Sequence, residues 1–135
     1  MNSRLSEAEL TALARSLGER LPPGSVVWLE GDLGAGKTTF AGALAAGLGV
    51  RDPATSPTYG LVHRHQGARG DVYHVDCYRL RRPEEAADLD WAALAAGDAL
   101  LIEWPARAGP WAPPPTHRVR LAHTDREDQR LVELT

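Results

Sequence analysis

The chain has one lysine, one cysteine, no long apolar run and no basic surplus, and each shortage closes off a class of function. A single cysteine, Cys77, excludes an internal disulfide and suits a reducing compartment. No apolar run approaches the ~20 residues that a membrane span requires. The start of the chain, Met1-Asn2-Ser3-Arg4, has charged residues after it and no signal-peptide core. These features lead to the expectation of a soluble, cytoplasmic protein. A net charge of −3 and a pI of about 5.9 argue against a chain that holds nucleic acid by itself, since neutralising phosphates needs clustered basic residues. Without repeat or linker, the 135 residues are expected to form one domain, residues 1–135. A domain near this size buries roughly 68% of its unfolded surface, enough for a core without staples.

The lone lysine is Lys37, and the fourteen other basic residues are arginines. It stands in Gly31-Asp32-Leu33-Gly34-Ala35-Gly36-Lys37-Thr38, which fits the phosphate-loop pattern G-x-x-x-x-G-K-[ST] without a mismatch. An arginine fork is planar and wide, whereas a lysine ammonium is a compact charge on a flexible stem. A loop wrapped around a triphosphate has room for the second.

The flanking pattern supplies the context such a loop needs. Ser6-Glu7-Ala8-Glu9 is a capping box, and Leu10, Leu13, Leu17 and Leu21 recur at helical spacing, which predicts a helix over about 7–20. Pro22-Pro23-Gly24 ends it. Val26 to Leu29 reads as a buried strand, the glycine loop follows, and Thr38 to Leu48 reads as a helix. Tyr59–His65 and Asp71–Tyr78 are expected strands around a hairpin loop at Gln66–Gly70, with Val72, His74, Asp76 and Tyr78 sharing one face. Pro83-Glu84-Glu85 opens another helix, and Ala99 to Ile102 is an apolar strand that ends at Glu103. Pro110 to Pro115 is expected to be a stiff connector, before a closing hairpin of His117–Leu121 and Arg130–Leu134.

In this reading the backbone amides from Leu33 through Gly34, Ala35, Gly36 and Lys37 to Thr38 point inward at phosphate. Lys37 reaches the β- and γ-phosphates, Thr38 ligates Mg²⁺, and Thr39 supports the α-phosphate or the helix start. A metal held so needs an acid at a neighbouring strand end, and Glu103 is the first choice. Asp76 either holds a metal-bound water or orients the attacking water, or else pairs with Arg79 at the surface. Thr58, after Pro57, is placed to sense the γ-phosphate and Mg²⁺. Trp104 stacks on a base or a partner, or belongs to the core. Arg79, Arg81 and Arg82 form the only dense basic cluster. His63 and His65 alternate on a strand but have no third ligand at metal spacing, so zinc is not expected.

Four blocks together resemble the TsaE family, small bacterial ATPases of the tRNA threonylcarbamoyladenosine pathway. They are Gly31–Phe40, Ser56-Pro57-Thr58-Tyr59, Tyr73–Leu80 and Ile102-Glu103-Trp104-Pro105. The resemblance implies an α/β fold with a mixed, mostly parallel sheet flanked by helices. It implies ATP/ADP and Mg²⁺ as cofactors, and slow hydrolysis stimulated by the partners TsaD and TsaB. It also implies a resetting role in tRNA modification. Matching the motifs puts Lys37 and Thr38 on phosphate and metal and Glu103 on Mg²⁺. Asp76 and Thr58 fall at the hydrolytic site, and Trp104 beside the nucleotide. The chain departs from the family at His63-Arg64-His65, at Asp88-Leu89-Asp90 and at Leu10.

Two other functions share the loop: a small-molecule kinase and a non-catalytic, nucleotide-gated binding module. A kinase usually closes an arginine-bearing lid over its acceptor, and this chain leaves little room for one. A guanine-specific switch generally needs an Asn-Lys-x-Asp type motif, which a chain with its only lysine in the loop cannot contain.

Overall fold

The structure is a computed structural model that describes residues 2–32, 34–51 and 61–135. Leu33 and the block containing Thr58 lie outside the described residues. A seven-stranded sheet carries the architecture, in the spatial order β1-β7-β6-β2-β5-β4-β3. Its strands are β1 (Asn2–Leu5), β2 (Ser25–Glu30), β3 (Val62–Gln66), β4 (Asp71–Asp76), β5 (Ala99–Glu103), β6 (His117–His123) and β7 (Arg130–Leu134). The middle four, β6, β2, β5 and β4, are mutually parallel. Antiparallel partners close both sides: β3 pairs with β4, β7 with β6, and β1 with β7. Both expected hairpins are therefore present. The edge strand β1 was not expected, because Asn2–Leu5 has too little apolar content to declare itself and owes its conformation to its pairing with β7.

Helix α1 (Glu7–Arg20) starts at the capping box: the Glu9 N–H donates to the Ser6 hydroxyl at 3.2 Å, and the Ser6 N–H donates to the Glu9 carboxylate at 2.9 Å. Helix α2 (Lys37–Gly47) begins directly after the glycine loop. Its N-cap, Gly36, has φ +103°, a conformation that a residue with a Cβ adopts only under strain. The two helices cover one face of the sheet. Leu10, Ala14, Phe40, Ala41 and Leu44 pack there on Val27, Leu29, Val72 and Leu101. They cross backbone to backbone. A Cβ on Gly18 would lie 2.2 Å from the Leu44 carbonyl oxygen, and one on Gly47 would lie 2.1 Å from that of Arg15.

The opposite face packs Val26, Val75, Leu100 and Ile102 against Leu80, Ala86, Leu94 and Ala108. Its cover differs from the expectation in detail. The segment opened by Pro83 is a 3₁₀ helix, Pro83–Asp88, followed by the short α3 (Trp91–Ala95). Within Pro105–Trp111 two further 3₁₀ turns, broken at Gly109 (φ +56°), take in the start of the proline-rich connector. Both segments are short pieces opened by a proline, and runs of this length are where 3₁₀ turns are found. The remaining connector is pinned where the Trp28 indole N–H donates to the Pro113 carbonyl at 2.9 Å.

Cys77 is fully buried. Burial, helped by the Asp76 carboxylate, pushes its thiol from 9.0 up to about 12. The folded state thus favours the protonated thiol, a contribution present below the ordinary thiol range and lost as pH climbs toward 12. Because the thiolate is the reactive species, native protein at pH 8 should react with Ellman's reagent on the order of a thousandfold more slowly than the denatured chain. Equal rates would contradict the burial of Cys77.

Candidate functional site

The parallel strands β2, β5 and β4 end together. Leu29 is in register with Glu103, and Glu103 with Asp76. The chain leaves β2 as the glycine loop at this carboxyl edge, where open α/β sheets bind their ligands. The acids Glu103 and Asp76, expected on separate strands, are therefore brought beside Lys37 and Thr38. A cavity of about 300 Å³ is lined by Gly34, Gly36, Lys37, Thr38, Thr39, Asp76, Tyr78, Glu103 and Trp104.

Lys37 is buried, and its Nζ donates to the carbonyls of Gly31 at 2.5 Å and Asp32 at 2.7 Å. The ammonium also lies 4.4 Å from the centre of the Trp104 ring. Burial lowers the Lys37 pKa from its ordinary value, against the raising influence of Glu103, Asp32 and Asp76. Glu103 is 3% exposed and held from two sides. The Thr38 hydroxyl donates to Oε1 at 3.4 Å, and His74 Nε2 lies 2.6 Å from Oε2. Asp76 accepts from the Tyr78 N–H at 3.0 Å, and among the described residues it forms no ion pair with Arg79. Thr39 is exposed at the loop, while Ala35 is buried beneath it.

Trp104 is half-buried at the mouth, with φ +57° and ψ +49°. It is the only described non-glycine residue with positive φ, a conformation that costs of order 1–3 kcal/mol and concentrates at functional sites. Its ring is 5.1 Å from that of Tyr78. The Arg107 guanidinium sits 4.8 Å from Tyr78 and 5.3 Å from Trp104, and donates to the Tyr78 carbonyl at 2.9 Å.

Four neighbours of the site were not singled out from the sequence. His74 and Tyr78 carried a signal, since strand alternation put them on the Asp76 face. Arg107 carried none, because a turn of 3₁₀ helix brings it back to the rings. Arg130, expected only as the start of the last strand, donates from Nη2 to the Gly34 carbonyl at 3.2 Å. Together with Ser6, Leu10, Gly34, Gly36 and Thr39 it lines a second cavity of about 460 Å³ on the other side of the loop.

A metal ion at this edge is tested by the donors present. Thr38 and Glu103 offer two hard oxygens 3.4 Å apart. Neighbouring octahedral ligands of Mg²⁺ stand about 3 Å apart for metal–oxygen distances of 2.0–2.1 Å. Among the described residues no group of three or more His, Cys, Asp and Glu could form an all-protein cage. One carboxylate and one hydroxyl, with phosphate and water completing the shell, is the arrangement Mg²⁺ favours, so the residues fit.

A glycine loop between a parallel strand and a helix, with acids at the adjoining strand ends, defines an α/β protein of the phosphate-loop class. The family described as Threonylcarbamoyl adenosine biosynthesis protein TsaE matches residues 5–132, and the chain belongs to this family. Its members act in tRNA threonylcarbamoyladenosine biosynthesis. The chain is 40% identical to the Nostoc sp. protein named tRNA threonylcarbamoyladenosine biosynthesis protein TsaE, over 88% of this chain and 75% of that one. It is 36% identical to the protein of that name from Rickettsia conorii, over 99% of this chain and 77% of the other. The crystal structure of Bacillus subtilis YdiB superposes with a TM-score of 0.78 at 25% identity, covering all of this chain and 84% of that one. No helix among the described residues is long and apolar enough to cross a membrane.

Proposed function

We propose that this protein binds ATP with Mg²⁺, hydrolyses it weakly, and serves with TsaD and TsaB in forming N6-threonylcarbamoyladenosine on tRNA. In this reading it resets the complex by hydrolysis and does not make the new bond. The observation that carries the reading is the meeting, at one sheet edge, of the loop that holds the sole lysine with the Thr38–Glu103 pair.

The loop amides from Leu33 to Thr38 and the N-terminus of α2 receive the phosphates. Lys37 turns from the Gly31 and Asp32 carbonyls to the β- and γ-phosphates. Thr38 and Glu103 hold the metal, which when bound neutralises charge on the phosphates being parted. Asp76 orients the attacking water, and Thr58, outside the described residues, senses the γ-phosphate. Thr39 supports the α-phosphate, and Trp104 stands beside the nucleotide. The larger cavity beyond Gly34 and Gly36 gives the nucleoside its room. Contact with tRNA is indirect, in keeping with the acidic balance of the chain.

Mixing the purified protein with TsaD and TsaB, with and without ATP, tests this by following complex formation and phosphate release together. An ATP-dependent complex with faster hydrolysis than the protein alone is expected. ATP-dependent assembly with no hydrolysis would replace the ATPase by a nucleotide-gated binding module. Rapid transfer to an added nucleoside or sugar would replace it by a kinase.

A further inference from the structure

Among the described residues Glu103 is the only buried acid at the loop, and two different side chains hold its two oxygens. His74 pairs in register with Leu101, two residues before Glu103 on the neighbouring strand. Residues in register point to the same side of a sheet, and so do residues two apart on a strand. Imidazole and carboxylate therefore meet by construction, on the face covered by α2. A carboxylate only accepts hydrogen bonds, so Nε2 carries the proton and donates to Oε2. That bond occupies one oxygen and leaves Oε1 directed at the Thr38 hydroxyl. With a single carboxylate and a hydroxyl as protein donors, the direction in which Oε1 points fixes where a cation can sit. A glutamate without its second tether has three rotatable bonds to lose that direction.

We infer that His74 is a positioning residue for the metal site: its hydrogen bond to Oε2 of Glu103 aims Oε1 at the ion that Thr38 also binds. The inference rests on the Mg²⁺-nucleotide reading and adds to it a residue that touches neither metal nor phosphate. Hydrogen-bonding partners of metal ligands typically govern 10–100-fold in metal affinity.

Titration calorimetry with the non-hydrolysable analogue AMPPNP, in EDTA and in excess Mg²⁺, tests it without any reliance on turnover. The wild type should bind more tightly with Mg²⁺. His74→Phe keeps ring volume without the donor. It should match the wild type in EDTA and lose about 10–100-fold of the Mg²⁺-dependent gain. His74→Gln, which restores an N–H at similar reach, should recover most of it. If the phenylalanine variant fails to fold by circular dichroism, His74→Asn, whose amide falls short of Glu103, takes its place. A full Mg²⁺-dependent gain in His74→Phe or its substitute, alongside a lost gain in Glu103→Gln, overturns this inference and leaves the nucleotide reading standing. Absence of binding by the wild type in both buffers overturns both.

Discussion

Replacing Lys37 by alanine should remove measurable ATP binding. The ammonium is the only lysine the chain has, and it already sits inside the loop on the carbonyls of Gly31 and Asp32. Hydrogen bonds to charged groups contribute about 1.5–3 kcal/mol each. Two lost phosphate contacts therefore weaken binding by roughly a hundredfold to ten-thousandfold. Lys37→Arg should recover little of this, because the slot between the two carbonyls and the Trp104 ring was filled by a narrow head group, and a planar fork is wider. Titration calorimetry reads the affinity, and a thermal melt checks that the loop carbonyls left without a donor have not unfolded the protein. Unchanged affinity in a folded Lys37→Ala variant would remove the loop from nucleotide binding.

Glu103→Gln should abolish hydrolysis with the fold intact. Its shape is nearly that of glutamate, so the core around Ile102 and Leu101 is undisturbed, yet the charge that attracts a divalent cation is gone. Loss of a group that acts on developing phosphate charge is expected to lower turnover by on the order of a hundredfold or more. Phosphate release in the presence of TsaD and TsaB reads this directly. A wild-type rate would take Glu103 out of the site and leave Asp76 as the acid to examine.

Much of this arrangement was legible in the residues. The phosphate loop, the capping box at Ser6 and the strand ending at Glu103 all depend on local spacing, and local spacing is written in the chain. Alternation even placed His74 and Asp76 on one face of β4; the expected strand ran on to Tyr78, but β4 ends at Asp76, where the Tyr78 N–H turns back to the Asp76 carboxylate. The missing parts are long-range. Nothing near Asn2–Leu5 announces a strand, because its partner is β7 at the other end of the chain. Nothing near Arg107 or Arg130 announces a neighbour, since their contacts are with Tyr78, Trp104 and Gly34. The sequence also offered Asp76 a surface pairing with Arg79. The described contacts direct its carboxylate to the Tyr78 amide instead, at the rim of the cavity.

The glycine crossing of α1 and α2 links distant parts of the molecule. With Gly18 seated on Leu44 and Gly47 on Arg15, no side chain lies between those stretches of backbone to cushion a slide. One end of the clamped pair carries Lys37 and Thr38, while Ser6 and Leu10 at the start of α1 form a wall of the larger cavity. The wall of the larger cavity and the first turn of α2 thus stand on one closely packed pair of helices, a shared footing beneath both sides of the loop.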